Sequence, residues 1–145
     1  MSLYSMFGTN PEAELDGFEL ILFDEGVEVI FTLARAGGSN KRFANRLQAL
    51  LRPYERAVKA GTMSDEKAGV IMAKALAETV ILGWSNVNDL EGNTLPFTVA
   101  KATELLTDLP ELRTVILEEA QNASNFVAVE VEENQGFSEP GSDGP

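Results

Sequence analysis

Cysteine and histidine are both missing from the 145 residues. Without cysteine there can be no disulfide, thiolate metal site or thiol nucleophile, which agrees with a reducing compartment. Without histidine the chain lacks the usual general base near neutral pH and the commonest metal ligand, so serine–histidine triads and histidine–zinc sites are excluded. Long apolar runs are missing as well. No stretch approaches the roughly 20 apolar residues that cross a bilayer, and residues 1–10 carry neither the positive start nor the apolar run of a secretory signal. A cytoplasmic protein is expected. Basic residues are scarce, 11 against 23 acidic ones, and the resulting formal charge of −12 repels nucleic acid and anionic membrane while favouring basic protein partners.

What is present suffices for a folded core. Hydrophobic residues make up 44% and charged residues 23%, as in globular proteins generally, and the length suits one compact domain. Charge is segregated along the chain. Between Glu12 and Glu28 stand seven acids and no base, whereas Arg35 to Lys59 holds seven bases against the single acid Glu55. From Glu130 the chain carries five acids, no base, and a rising share of Gly, Pro and Ser. Such a composition buries too little apolar surface to offset ordering entropy and predicts a flexible acidic tail. The organisation expected is an extension over 1–16, a single domain over 17–128 and a tail over 129–145.

Two apolar, β-branched runs flank Asp24-Glu25-Gly26, which predicts a β-hairpin with strands at Phe18 to Phe23 and Val27 to Leu33. Val27, Val29 and Phe31 give the second strand one clearly apolar face. From Asn40 the period becomes helical: Phe43, Leu47, Leu50, Leu51, Tyr54 and Val58 fall within an arc of about 100°. Ser39 is the expected N-cap. Pro53 should interrupt this helix with a kink or a new start, pushing Arg52 towards extended geometry, and Gly61 should end it. A second helix is expected from a cap at Ser64 through Val80 and Leu82 to Gly83, a third from Thr98 to about Thr107, and a fourth from Pro110. The fold class predicted is therefore mainly α: a compact four-helix domain with an N-terminal β-hairpin.

Several features could carry chemistry. The carboxylate pairs Asp24/Glu25 and Asp89/Glu91 could in principle bind magnesium or exchange protons, but turns favour such residues for backbone reasons, and neither pair has a basic or nucleophilic companion nearby in sequence. The stretch Asn86 to Gly92 fails the EF-hand register, because placing Gly92 at position 6 puts Val87 at position 1. Gly37-Gly38-Ser39-Asn40-Lys41-Arg42 has the local physics of an anion site without the spacing of a phosphate-binding loop, and an ordinary strand-to-helix connection is the simpler account. Trp84, with Leu95, Pro96 and Phe97, brackets the longest loop and is expected to anchor it in the core.

The basic residues of the first long helix are more informative. Lys41, Arg42, Arg46, Arg52, Arg56 and Lys59 project within an arc of about 140°, opposite the apolar stripe, if helical phase survives Pro53. This face could be solvated and balance the acidic hairpin, could dock an acidic or helical protein, or could contact nucleic acid. The last ranks lowest, for want of interleaved aromatics and because of the net charge. The candidate partner-binding residues are Arg42, Arg46, Arg52, Arg56 and Lys59; no catalytic, cofactor or metal residues emerge.

Taken together, Ala34 to Asn45, Arg52-Pro53-Tyr54, Leu82 to Val87, Gly92 to Thr98 and Leu105 to Leu112 resemble, in order and spacing, the tail assembly chaperones of long-tailed siphophages of the HK97 type. The resemblance covers about Phe31 to Phe126. It implies a cytoplasmic helper without enzymatic activity that binds the tape measure protein, keeps it soluble while tail tube subunits polymerise, and is absent from the finished virion. It also implies that a longer, frameshifted form is often made, and it leaves self-association open. A small structural virion protein, a tail completion or joining subunit, is the competing expectation, and an acidic mimic of nucleic acid ranks behind both.

Overall fold

The computed structural model describes residues 2–4 and 8–127; the acidic tail expected over 129–145 lies outside the described residues. The chain forms helix α1 (Pro11–Asp16), strands β1 (Phe18–Asp24) and β2 (Val27–Leu33), helix α2 (Arg42–Leu51), a 3-10 turn (Arg52–Tyr54) and helix α3 (Glu55–Ala60). There follow α4 (Asp65–Thr79), β3 (Ile81–Ser85), α5 (Val99–Asp108), α6 (Pro110–Gln121) and a closing 3-10 turn (Ala123–Phe126).

The β1–β2 hairpin turns on Glu25 and Gly26, both with positive φ (52° and 83°), so the strands close on the pair Asp24↔Val27. Consecutive positive φ values match the right-handed twist of the flanking strands; Gly26 adopts this without strain, Glu25 at some cost. β3 pairs antiparallel with the other side of β2, in the order β1-β2-β3, with a register shift between Thr32 and Leu33.

The mainly α, four-helix expectation is therefore corrected: this is an α+β fold, a three-stranded antiparallel sheet backed by helices. The error lies at Val80 to Gly83, read as the end of a helix that in fact stops at Thr79. Ala34 donates its N–H to the Val80 carbonyl at 2.8 Å, and β2 offers Ile81 to Ser85 a ladder to join. Ile81 and Trp84, β-branched and aromatic, gain more opposite Leu33 and Phe31 than in another helical turn.

Phe18, Leu20, Leu22, Val29, Phe31, Leu33, Ile81 and Trp84 belong to the core, packing with residues from the helices. α4 lies at the centre, with Ala73, Ala75 and Leu76 wholly buried; its small residues let α2 and α5 approach closely. Leu106 from α5 and Ile116 from α6 complete the core. Fully buried side chains such as Phe31, Leu33, Leu76 and Ile116 each contribute roughly 1.5–3 kcal/mol, so this layer carries most of the fold's stability.

Helix caps follow the local chemistry with one exception. Ser64 and Thr98 accept from the N–H groups of Lys67 and Lys101, and Pro110 occupies the first turn of α6. Ser39, however, does not cap α2. The N-cap is Lys41, which makes no side-chain cap bond; Asn40, one residue earlier, accepts from the Arg42 N–H through its Oδ1 at 3.2 Å, while Ser39 is turned towards Glu14. Arg52 also departs from expectation: it keeps right-handed helical geometry (φ −54°, ψ −43°) as the first residue of the 3-10 turn that holds Pro53. Among the described residues, no helix is long and apolar enough to cross a membrane.

Candidate functional site

The face built by α2, the 3-10 turn and α3 unites the apolar stripe with the basic residues. Phe43 is buried, and Leu47 and Leu50 pack on the core beside it, so that side of α2 is used internally. On the adjoining flank an open groove of about 470 Å³ is lined by Phe43, Ala44, Leu47, Gln48, Leu51, Arg52 and Glu55. These positions recur at three- and four-residue intervals, as required for a trough running along a helix. Leu47 and Leu51 are only half-buried, so the groove floor remains apolar and accessible.

The five candidate residues divide in two. Arg42, Arg52, Arg56 and Lys59 are exposed and make no ion pair among the described residues. Arg46 is committed internally: its Nε meets Glu78 of α4 at 2.5 Å and its second guanidinium nitrogen meets the other carboxylate oxygen at 3.3 Å. That pair is partly solvated and is worth no more than about 1 kcal/mol, so it orients α2 on α4 more than it holds it there. Lys67 lies 5.1 Å from the centre of the Tyr54 ring, tying the start of α4 to the 3-10 turn. The result is an exposed cationic border beside an apolar trough.

The loop with the character of an anion site is filled by the protein's own carboxylate. Glu14 of α1 is 1% exposed, and its Oε1 accepts from the Ser39 N–H (3.1 Å) and the Ser39 hydroxyl. Its Oε2 accepts from Thr9 Oγ1 (3.0 Å) and from the Arg35 guanidinium (2.7 Å). Gly38, at φ 58°, lies directly against this carboxylate, where a β-carbon would collide with it. Burial pushes the Glu14 pKa up, but the Ser39 and Thr9 hydrogen bonds and the Arg35 charge outweigh it and hold the group below the ordinary carboxylate range. Arg35 also stacks 5.6 Å from the Phe126 ring, and Asn10 donates its N–H to the Phe126 carbonyl. Both ends of the described chain are thus tied to the loop before α2.

The remaining candidates serve local structure. Asp89 Oδ1 accepts from the N–H groups of Glu91 and Asn93, a turn-forming use of a carboxylate, and Asp24 and Glu25 stand exposed at the hairpin tip. Among the described residues no group of acidic side chains could hold a metal ion. Trp84 donates its indole N–H to the Leu95 carbonyl at 2.8 Å and packs edge-on against Phe31 and Phe97, so it pins the long loop to the sheet. The Glu14–Arg35 and Arg46–Glu78 pairs escaped the sequence reading, because partners 21 and 32 residues apart leave no periodic signal.

No curated protein and no solved structure matches the chain. A family model does: the one described as YdaY prophage protein matches residues 38–136, roughly two thirds of the chain, beginning at the loop before α2 and so including the groove and its basic border. The chain therefore belongs to the YdaY prophage protein family and is of phage derivation.

Proposed function

We propose that this phage-derived protein is a tail assembly chaperone that acts by binding, without catalysis or cofactor. In the host cytoplasm it holds the tape measure protein, keeps it soluble and helps recruit tail tube subunits, and it leaves before the particle is finished. The reading is supported by the likeness of Phe31 to Phe126 to such chaperones and, on physical grounds, by one observation above all. An open apolar groove of about 470 Å³ runs along α2 beside the exposed cations Arg42, Arg52, Arg56 and Lys59.

A tape measure protein before assembly exposes long apolar helical stripes that aggregate unless covered. A trough along one helix accepts the apolar face of another, and a cationic border selects a helix that carries acids beside its apolar stripe. The affinity this reading requires is moderate, because tube subunits have to displace the chaperone.

Co-expression tests the reading. With this chain present, the soluble yield of the cognate tape measure protein should rise several-fold, and mass spectrometry of purified virions should find the chain absent. Equal yields with and without it would refute the chaperone role, and stoichiometric copies in mature particles would identify a structural subunit instead.

A further inference from the structure

β1 is an edge strand. With the two-residue turn closing on Asp24↔Val27, the alternation of an antiparallel ladder directs the N–H and C=O groups of Phe18, Leu20, Leu22 and Asp24 towards β2. Those of Glu19, Ile21 and Phe23 point the other way. No hydrogen bond reaches these outward groups among the described residues. Nothing in β1 blocks pairing outright: it contains no proline and no bulge, and pairs with β2 in unbroken register over seven residues, while its acids Glu19 and Asp24 restrict which strand can join.

The side chains around this edge point to its occupant. Phe18, Leu20 and Leu22, facing the core, are only half-buried, as expected of a row that stops one strand short of cover. On the opposite face Ile21 and Phe23 are 43% and 70% exposed, and on the core-facing side Val27, beside the turn, is 54% exposed. The charges on the hairpin itself are all negative: Glu19 and Asp24 on β1, Glu25 in the turn and Glu28 on β2. An acidic edge repels another acidic edge, including that of a second copy, and admits a cationic strand.

We propose that the β1 edge captures an extended cationic segment of a partner protein by strand addition. Apolar residues at alternate positions of that segment continue the Phe18, Leu20, Leu22 row, and lysine or arginine between them faces Glu19, with Glu28 one strand further in. Main-chain hydrogen bonds to Glu19, Ile21 and Phe23 supply affinity, and the alternation sets register. The proposal stands on the hairpin alone and does not depend on the α2 groove.

The test uses the full chain and a nine-residue peptide alternating valine with lysine. A control peptide has the same composition, arranged as one block of valine and one of lysine. Hydrogen exchange followed by NMR should show the Glu19, Ile21 and Phe23 amides slowing at least tenfold with the alternating peptide and not with the block peptide. Ile21→Pro removes one outward donor without touching the β1–β2 ladder and should weaken peptide binding at least tenfold at an unchanged melting temperature. If that variant fails to fold, the wild-type exchange pattern decides alone. Unchanged exchange, or an equal response to the block peptide, overturns the proposal, as does protection that rises with protein concentration in the absence of peptide. An Arg52→Glu/Arg56→Glu variant should bind the alternating peptide as the wild type does, so failure at the groove and failure at the edge are told apart.

Discussion

Glu14 shows what a single buried carboxylate can do in a fold without disulfides. It fills the glycine loop ahead of α2, neutralises Arg35 and secures α1 against the end of β2. Arg35 already has one buried nitrogen, Nε, without a partner, so removing the carboxylate leaves a guanidinium almost wholly uncompensated. Glu14→Ala is expected to destabilise the protein by about 3–5 kcal/mol, read as a lower midpoint in urea unfolding at unchanged slope. The same group imposes a pH dependence. Its folded-state pKa lies below its unfolded one, so its stabilisation is complete above the ordinary carboxylate range and fades as pH falls through the folded value. Stability should drop on acidification below about pH 4, and Glu14→Gln should flatten that part of the profile. None of this was legible in the sequence. Glu14 is one of seven acids in an acidic stretch, and what singles it out is the approach of Ser39 and Arg35 in three dimensions.

Among the elements, those governed by local chemistry were readable and those governed by distant partners were not. The Glu25-Gly26 turn and the apolar alternation define the hairpin, and Ser64, Thr98 and Pro110 define three helix starts, because the determining atoms lie within a few residues of one another. β3 is different. Val80 to Trp84 continues the apolar pattern of α4, and only the waiting edge of β2 makes a strand the better outcome. Trp84 is the visible consequence of that switch, because a residue on β3 reaches across to both Phe31 and Phe97. Trp84→Phe keeps an aromatic ring beside Phe31 but loses the bond to the Leu95 carbonyl and part of the indole's packing. It should cost about 1 kcal/mol by thermal unfolding, with faster amide exchange confined to the loop from Asn86 to Phe97. The candidate site was half legible. Helical phase placed the cations on one face, but nothing local revealed that Arg46 is bound to Glu78 while its neighbours stay free.

At the scale of the molecule, two surfaces of opposite sign are held by one core. An apolar trough with a cationic border lies along α2 and α3, and an apolar strand edge among acids lies along β1. The negative charge of −12 favours solubility, which is consistent with the proposed chaperone role. The central claim concerns the first surface, and the most direct test is the affinity of purified client for a Leu51→Asp/Arg52→Glu/Arg56→Glu variant against wild type. Arg46 is left intact, so the variant should keep its melting temperature. A fall of at least tenfold in affinity, about 1.4 kcal/mol, is predicted; equal affinity at equal stability would contradict the assignment of the groove as the client's docking site.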